Sequence, residues 1–492
     1  MISLRDYQQA QNDAVFAAAK RGHRRIISCM ATGSGKSIQM ADLAQRALAK
    51  SKSVLILLPR RSLVLQLSES FTGWGINNGV IMSGIRQFSQ PRVQIASIDT
   101  YLARLAAGRM DHLQADLLLI DEMHLQFTAK KLAVFEKYPM VVGFSATPIA
   151  PKKQSLGAFY QEIVETITMQ QLMDNGYLTP LRCFARPGID LSGLKTDADG
   201  DYRESMLEGV MDKPELIGDI YANWHRLAAG KPTVIFASSQ SHARHLCQQF
   251  NDNGWSFEYC DCTYPDEERQ AIFDRVRKGE TTGIVNVGIV SVGIDIPNLE
   301  CVVLARPTKL VSVYLQCVGR VTRLSPGKSV GIVIDHAGII ERLGLPTDNF
   351  EWSLDGKETV EERAQRKKEE KKEPKQITCV KCDTVFQSRR SCPVCGHQMI
   401  AKGEAIPCHE AELKEVKKVS SIEKEAWYQQ ALGWCRRYGK RDGLAFYAYQ
   451  ERFGLQPKWK KIATAPGEEV SKYFQHRAIK YARGNGLWPD LK

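Results

Sequence analysis

The chain has 492 residues, with 67 Lys+Arg against 55 Asp+Glu and a formal net charge of +12. That length exceeds what one core holds, so three or more folded units are expected. No run of eighteen apolar residues is present to span a membrane, and the start, with Arg5 and Asp6, lacks the apolar core of a secretory signal. Thirteen cysteines, an odd number, argue against a disulfide framework and fit a reducing cytoplasm.

Along the chain, Ile26-Ile27 begins a short apolar strand, and Ala31-Thr32-Gly33-Ser34-Gly35-Lys36-Ser37 follows directly. Gly33 and Gly35 permit backbone angles that side chains forbid, so the loop can wrap its N–H groups around phosphate oxygens. Lys36 reaches the β and γ phosphates in such loops, and the Ser37 hydroxyl ligates magnesium. The residues after Lys36 read as a helix whose positive end faces the phosphates. Met30 stands where the commonest form of the loop has Gly.

Leu117-Leu118-Leu119-Ile120 is an unbroken apolar run, as suits a strand buried on both faces of a parallel sheet. Asp121 and Glu122 emerge at its carboxyl end, with His124 two residues on, where open α/β sheets bind ligands. Asp121 is the candidate magnesium ligand and Glu122 the candidate base for the attacking water. These strands, with Val54 to Leu58, Val93 to Ala96 and Val141 to Phe144, alternate with helical stretches. Residues 1–170 are therefore expected to form one parallel-sheet lobe. A second alternation, over 171–345, contains strands at 233–236, 283–286, 301–304 and 330–334. Residues 188–215 are polar and weakly periodic and read as a surface excursion.

Gln316-Cys317-Val318-Gly319-Arg320-Val321-Thr322-Arg323 puts two arginines three apart, on one helix face. Guanidinium groups so placed stabilise charge on a transferring phosphoryl group. Beyond it, residues 346–376 are a mixed-charge linker. Cys379-x-x-Cys382 and Cys392-x-x-Cys395 then give two thiolate pairs within 377–400, the pattern of a closed tetrahedral zinc site that stabilises a small ribbon. The basic excess is concentrated late: residues 351–492 hold 29 Lys+Arg against 20 Asp+Glu, and residues 1–350 hold 38 against 35. Residues 401–492 read as a basic, aromatic helical module, with thirteen aromatics between 421 and 492. Most of its rings are expected to pack a core, and its basic residues to meet a polyanion.

Taken together, these motifs resemble superfamily 2 helicases of the DExH type, and the run through the cysteines is most similar to RadD-like repair helicases of bacteria and phages. Other segments carry the likeness in the same order: Leu4-Arg5-Asp6-Tyr7-Gln8, Pro59 to Gln66, Ser145-Ala146-Thr147-Pro148, Val234 to Ser239, and Asn286 to Pro297. The resemblance implies two tandem RecA-like lobes that clasp one ATP with its Mg²⁺. It implies that Arg5 and Gln8 read the adenine, and that Gly293 and Asp295 lie near the ribose. Gln316, Arg320 and Arg323 then complete the site built from Thr32 to Ser37, Asp121 and Glu122. As substrate it implies DNA (single-stranded, forked or branched) in preference to RNA, with repair, recombination or replication as the setting. Single-strand-binding or recombination proteins are the implied partners. An RNA helicase, and an ATP-switched binding or recruitment factor without strand separation, are the alternatives.

Overall fold

The computed structural model describes residues 2–85, 91–149, 154–185, 191, 193–197, 200–288, 296–355, 376–378, 385–387, 414–416, 421–453, 457, 462–471 and 473–474. Strands β1 (Arg25–Cys29), β2 (Val54–Leu58), β3 (Gly79–Ile81), β4 (Val93–Ser97), β5 (Leu117–Ile120), β6 (Val141–Ser145) and β7 (Glu162–Val164) form one seven-stranded sheet. Every pairing in it is parallel, in the order β3-β4-β2-β5-β6-β1-β7. β2, β4 and β6 are buried along their whole length, which is why they read as continuous apolar runs. Helices α1 (Asp6–Lys20), α2 (Lys36–Leu48), α3 (Arg61–Gly73), α4 (Ile98–Ala106) and α5 (Ala129–Phe135) cover the two faces. Separate apolar layers on the two faces, around Phe71 and Phe144 and around Tyr101 and Phe135, bury them.

The register positions the chemistry. Cys29 lies level with Ser145, and Ile120 with Gly143. The segments that follow β1, β5 and β6 therefore leave the sheet side by side at its carboxyl edge.

Helix α6 (Met169–Asp174) leads to the second sheet. This contains β8 (Leu181–Ala185), β9 (Thr233–Phe236), β10 (Phe257–Asp261), β11 (Gly283–Val287), β12 (Cys301–Leu304) and β13 (Gly331–Asp335), parallel in the order β10-β11-β9-β12-β13-β8. Its helices are α7 (Glu204–Met211), α8 (Pro214–Ala228), α9 (Gln240–Asp252), α10 (Asp266–Lys278), α11 (Val311–Val318) and α12 (Ile339–Leu343). On one face Trp224 is fully buried and donates its indole N–H to Thr233 Oγ1 at 2.8 Å. The two-lobe architecture expected from the alternating pattern is present.

The excursion expected over 188–215 is more ordered than its composition suggests. Within it α7 turns Leu207 inward, and Leu191 and Tyr202 join it in a small core of their own. Residues beyond α12 also fold back. Leu345, Phe350 and Trp352 pack on the second lobe, whereas Leu354 packs on the first. The Leu354 carbonyl accepts the Gly157 N–H at 2.9 Å and the Ser155 hydroxyl at 2.8 Å. Residues 414–416, which composition groups with the basic tail, form an antiparallel strand on β8, with Lys414 opposite Ala185.

Two short strands, Gln376–Thr378 and Val385–Gln387, pair antiparallel, with Thr378 opposite Val385. Cys379, Cys382, Cys392 and Cys395 lie outside the described residues. Among the described residues no cluster of three or more His, Cys, Asp or Glu side chains could hold a metal. No described helix is long and apolar enough to cross a membrane. In the tail, α13 (Ser421–Arg437) and α14 (Asp442–Phe453) bury Trp427, Tyr428, Leu432, Tyr449 and Phe474 in one core. Trp434 stacks on Phe474 with centroids 4.3 Å apart.

Candidate active site

The loop after β1 turns sharply into α2. Gly33 and Gly35 hold φ of 86° and 88°, the left-handed region that L side chains avoid. A Cβ on Gly35 would lie 2.5 Å from Gln8 Nε2 and would displace that amide from the loop. Lys36 opens α2, with Ser37 exposed beside it. Met30, in the place of the commoner glycine, is buried with Tyr7, Leu172, Met173 and Leu178.

Gln8 braces this loop. Its Nε2 donates to the Ser34 carbonyl at 2.9 Å, and its Oε1 accepts the Arg5 N–H at 3.0 Å. Tyr7 Oη donates to the same Ser34 carbonyl at 2.8 Å. The Arg5 guanidinium stands 5.3 Å over the ring of Tyr177, which itself sits 4.7 Å from the Tyr7 ring. Tyr7 and Tyr177 are additions to the site residues named from sequence. Tyr7 lies within the Leu4-Arg5-Asp6-Tyr7-Gln8 segment, but nothing local marks Tyr177.

Across the sheet edge, Lys36 Nζ lies 2.6 Å from Glu122 Oε1 and 3.8 Å from Asp121 Oδ1. Glu122 is left-handed at φ 44°, ψ 51°, an uncommon state for a residue with a Cβ. Burial would strip the proton from Lys36, but the facing carboxylates hold its pKa above the ordinary value. Burial pushes the Asp121 carboxyl up against the opposing pull of Lys36. Burial acts on Glu122 in the same sense, yet Lys36 and His124 outweigh it and lower its pKa. Glu122 is therefore held ionised beside Lys36. Burial also lowers His124, which is uncharged at neutral pH and shares its Nδ1 with Ser145 Oγ at 2.9 Å. Ser145 Oγ accepts the Thr147 N–H at 3.0 Å, so one hydroxyl joins the segment after β5 to the segment after β6.

Several buried polar atoms around this point have no hydrogen-bond partner among the described residues: Ser34 Oγ, Asp121 Oδ1, His124 Nε2 and Thr147 Oγ1. Unpaired buried polar atoms each cost about 1–3 kcal/mol, so their gathering here fits a polar ligand. The donor set suits a triphosphate with its magnesium: a loop of N–H groups, an ammonium, a hydroxyl at Ser37 and a carboxylate at Asp121.

The second lobe closes on the same loop. A Cβ on Gly319 would lie 2.6 Å from Thr32 Cβ, and one on Gly33 would lie 3.5 Å from Thr322 Oγ1. The Thr179 hydroxyl donates to the Arg323 carbonyl at 2.9 Å. Arg320 is 8% exposed, and its charge acts on Glu122. Burial lowers the pKa of both Arg320 and Arg323. Gln316 is half-buried on α11. Gly293 and Asp295 lie outside the described residues.

Residues 1–150 match the family described as "Type III restriction enzyme, res subunit", and residues 212–325 match "Helicase conserved C-terminal domain". The chain belongs to the superfamily 2 helicases. As a helicase-family chain it is an ATP hydrolase. It is 27% identical to the "51.5 kDa protein" of a Lactococcus phage, over 74% of this chain and 76% of that one. It is 29% identical to "Putative ATP-dependent helicase IRC3" of Saccharomyces cerevisiae, over 69% of this chain, and spans 51% of that relative. The phage T4 "ATP-dependent DNA helicase uvsW" is 25% identical over 67% of this chain and 68% of its own. Among solved structures, a putative HsdR fragment of a type I restriction enzyme from Vibrio vulnificus matches at TM-score 0.56 and 22% identity, covering 72% of this chain and 70% of that one, a likeness of fold.

The Gly319–Thr32 contact gives a direct test of lobe closure in this helicase. Gly319→Ala is expected to lower kcat for ATP about tenfold or more, with the thermal midpoint nearly unchanged, because the added methyl meets a side chain of the other lobe. Steady-state kinetics beside a melting curve checks it. Wild-type turnover would show that the lobes do not close on this contact.

Proposed function

We propose that this chain is a DNA helicase or translocase of the DExH type, in which ATP closes the two lobes over a nucleic-acid strand and hydrolysis releases them. The observation that carries the coupling is the burial of Arg320, from the second lobe, within electrostatic reach of Glu122 on the first. A guanidinium delivered in this way contributes about 10³ to 10⁵ in rate in other phosphoryl-transfer sites. In this reading Lys36 and the loop hold the phosphates, and Ser37 and Asp121 hold magnesium. Glu122 orients and deprotonates the water. Arg320 and Arg323 stabilise charge as the bond breaks. Arg5 and Gln8 hold the base, and Gly293 and Asp295 face the ribose.

DNA is favoured over RNA because the T4 relative is a DNA helicase by name and the motifs resemble those of repair helicases. Repair, recombination or replication of bacterial or phage DNA in the cytoplasm is the setting we infer. ATP turnover is expected to rise most with single-stranded or forked DNA and least with RNA, and stronger stimulation by RNA would overturn the substrate assignment. Lys36→Ala should lose ATP binding. Glu122→Gln and Arg320→Ala should keep it and lose at least a hundredfold in kcat, measured by nucleotide binding beside turnover. Strand displacement measured on the same DNA separates a motor from an ATP-switched clamp.

The tail is the proposed second nucleic-acid contact. The turn between α13 and α14 exposes Arg437, Tyr438, Lys440 and Arg441, and Arg436 is paired with Asp442 at 2.8 Å. Tyr438, which rests on Trp434 at 4.7 Å between centroids, and Tyr447 are 56% and 64% exposed, so each presents ring surface on which an unpaired base can stack. Reversing the charge of Arg437, Lys440 and Arg441 together is expected to weaken DNA binding and flatten its salt dependence by about two to three counterions. An unchanged slope in a binding titration against salt would remove the tail from the interface.

The four cysteines are proposed to hold one Zn²⁺. Their spacing, two CxxC pairs nine residues apart, supports this. One equivalent of zinc per chain is expected by elemental analysis, falling to none in Cys379→Ser/Cys392→Ser. A metal-free wild-type chain purified without chelator would exclude it.

A further inference from the structure

Among the described residues of the 191–211 insertion of the second lobe, Asp201 is a buried carboxylate. Asp201 is 3% exposed, although the surrounding sequence is polar. A carboxylate taken out of water costs several kcal/mol unless its oxygens are fully bonded, so its partners decide where it sits. Those partners lie 107 and 108 residues downstream, in the connector between β12 and α11. Asp201 Oδ2 accepts the Thr308 hydroxyl at 2.9 Å and stands 3.2 Å from the Arg306 guanidinium. Oδ1 accepts the Lys309 N–H at 2.9 Å and the N–H of its own neighbour Tyr202 at 3.0 Å. The Lys309 ammonium lies 5.1 Å over the Tyr202 ring.

This connector is the foot of the helix that delivers the arginine. Thr308 Oγ1 accepts the N–H of Leu310, the residue that caps α11. The eight residues of α11 make a rod of about 12 Å. At its far end Gly319 meets Thr32 with no room for a methyl group, and Arg320 follows. A helix carries a displacement at its foot to its tip, and at these contact distances an ångström is enough to unseat Arg320.

We infer that Asp201 is a positioning residue for ATP hydrolysis: by gripping residues 306–309, the insertion sets where α11 presents Arg320 to the phosphate site. The inference rests on the proposed role of Arg320. Asp201→Ala is expected to lower kcat for ATP about ten- to a hundredfold while KM for ATP changes less than about threefold. Combined with Arg320→Ala it should cost no more than Arg320→Ala alone, because both act through one group. Asp201→Asn, which keeps one acceptor oxygen for the Lys309 and Tyr202 N–H groups but replaces the oxygen facing Thr308 and Arg306 with a neutral NH2, should fall between. Where Asp201→Ala does not fold, Thr308→Val removes one bond of the grip and takes its place in the same cycle. Losses that multiply in the double variant would show damage unrelated to Arg320 and overturn the inference, as would normal kcat in Asp201→Ala beside an impaired Arg320→Ala. Normal turnover in Arg320→Ala itself would instead overturn the underlying reading, and the inference with it.

Discussion

Three charges share a space too small for them: the Lys36 ammonium lies between Asp121 and Glu122, largely out of water at the carboxyl edge of the first sheet. Two carboxylates side by side repel, and burial penalises each of them, so the cluster is tolerable only because one ammonium serves both. Its remaining valences are the polar atoms left without partners beside it. The site is a charged cup whose complement is missing from the first lobe, and the second lobe supplies part of that complement as Arg320. The dependence of each lobe on the other follows from this shortage rather than from any single contact.

The backbone is shaped to keep the cluster tight. Glu122 adopts a left-handed conformation that a residue with a Cβ occupies at a cost of about 1–3 kcal/mol. The outlay is localised where β5 ends, and it turns Glu122 onto Lys36 while His124 reaches Ser145. Through that serine, the charge state of the cup and the segment after β6 are tied by one hydroxyl.

Much of this was legible in the sequence, for a physical reason. Parallel strands buried on both faces announce themselves as apolar runs, and a loop that wraps phosphates needs glycines at fixed offsets, so β1, β2, β5 and β6 and the residues from Thr32 to Ser37 are local signals. Contacts between distant segments are not. Tyr177 beneath Arg5, and Thr32 against Gly319, depend on how two lobes meet, and no window of sequence holds both partners. The short helix at Glu204–Met211 carries its own apolar period in Met206, Leu207, Val210 and Met211, but the polar, Gly- and Asp-rich residues before it dilute that signal over 188–215. Cys379, Cys382, Cys392, Cys395, Gly293 and Asp295 lie outside the described residues.

The returning segment at Leu345 to Leu354 has a mechanical consequence. The chain passes from the first lobe to the second through α6, and comes back when Leu354 is fixed to Gly157 and Ser155. A rigid body held to another at two points keeps one freedom, rotation about the line that joins them. While both crossings hold, the lobes swing on a fixed axis instead of drifting apart, and each reclosure is an intramolecular event at an effective concentration on the order of millimolar. The covalent path of the chain thus sets the axis about which one lobe can turn against the other.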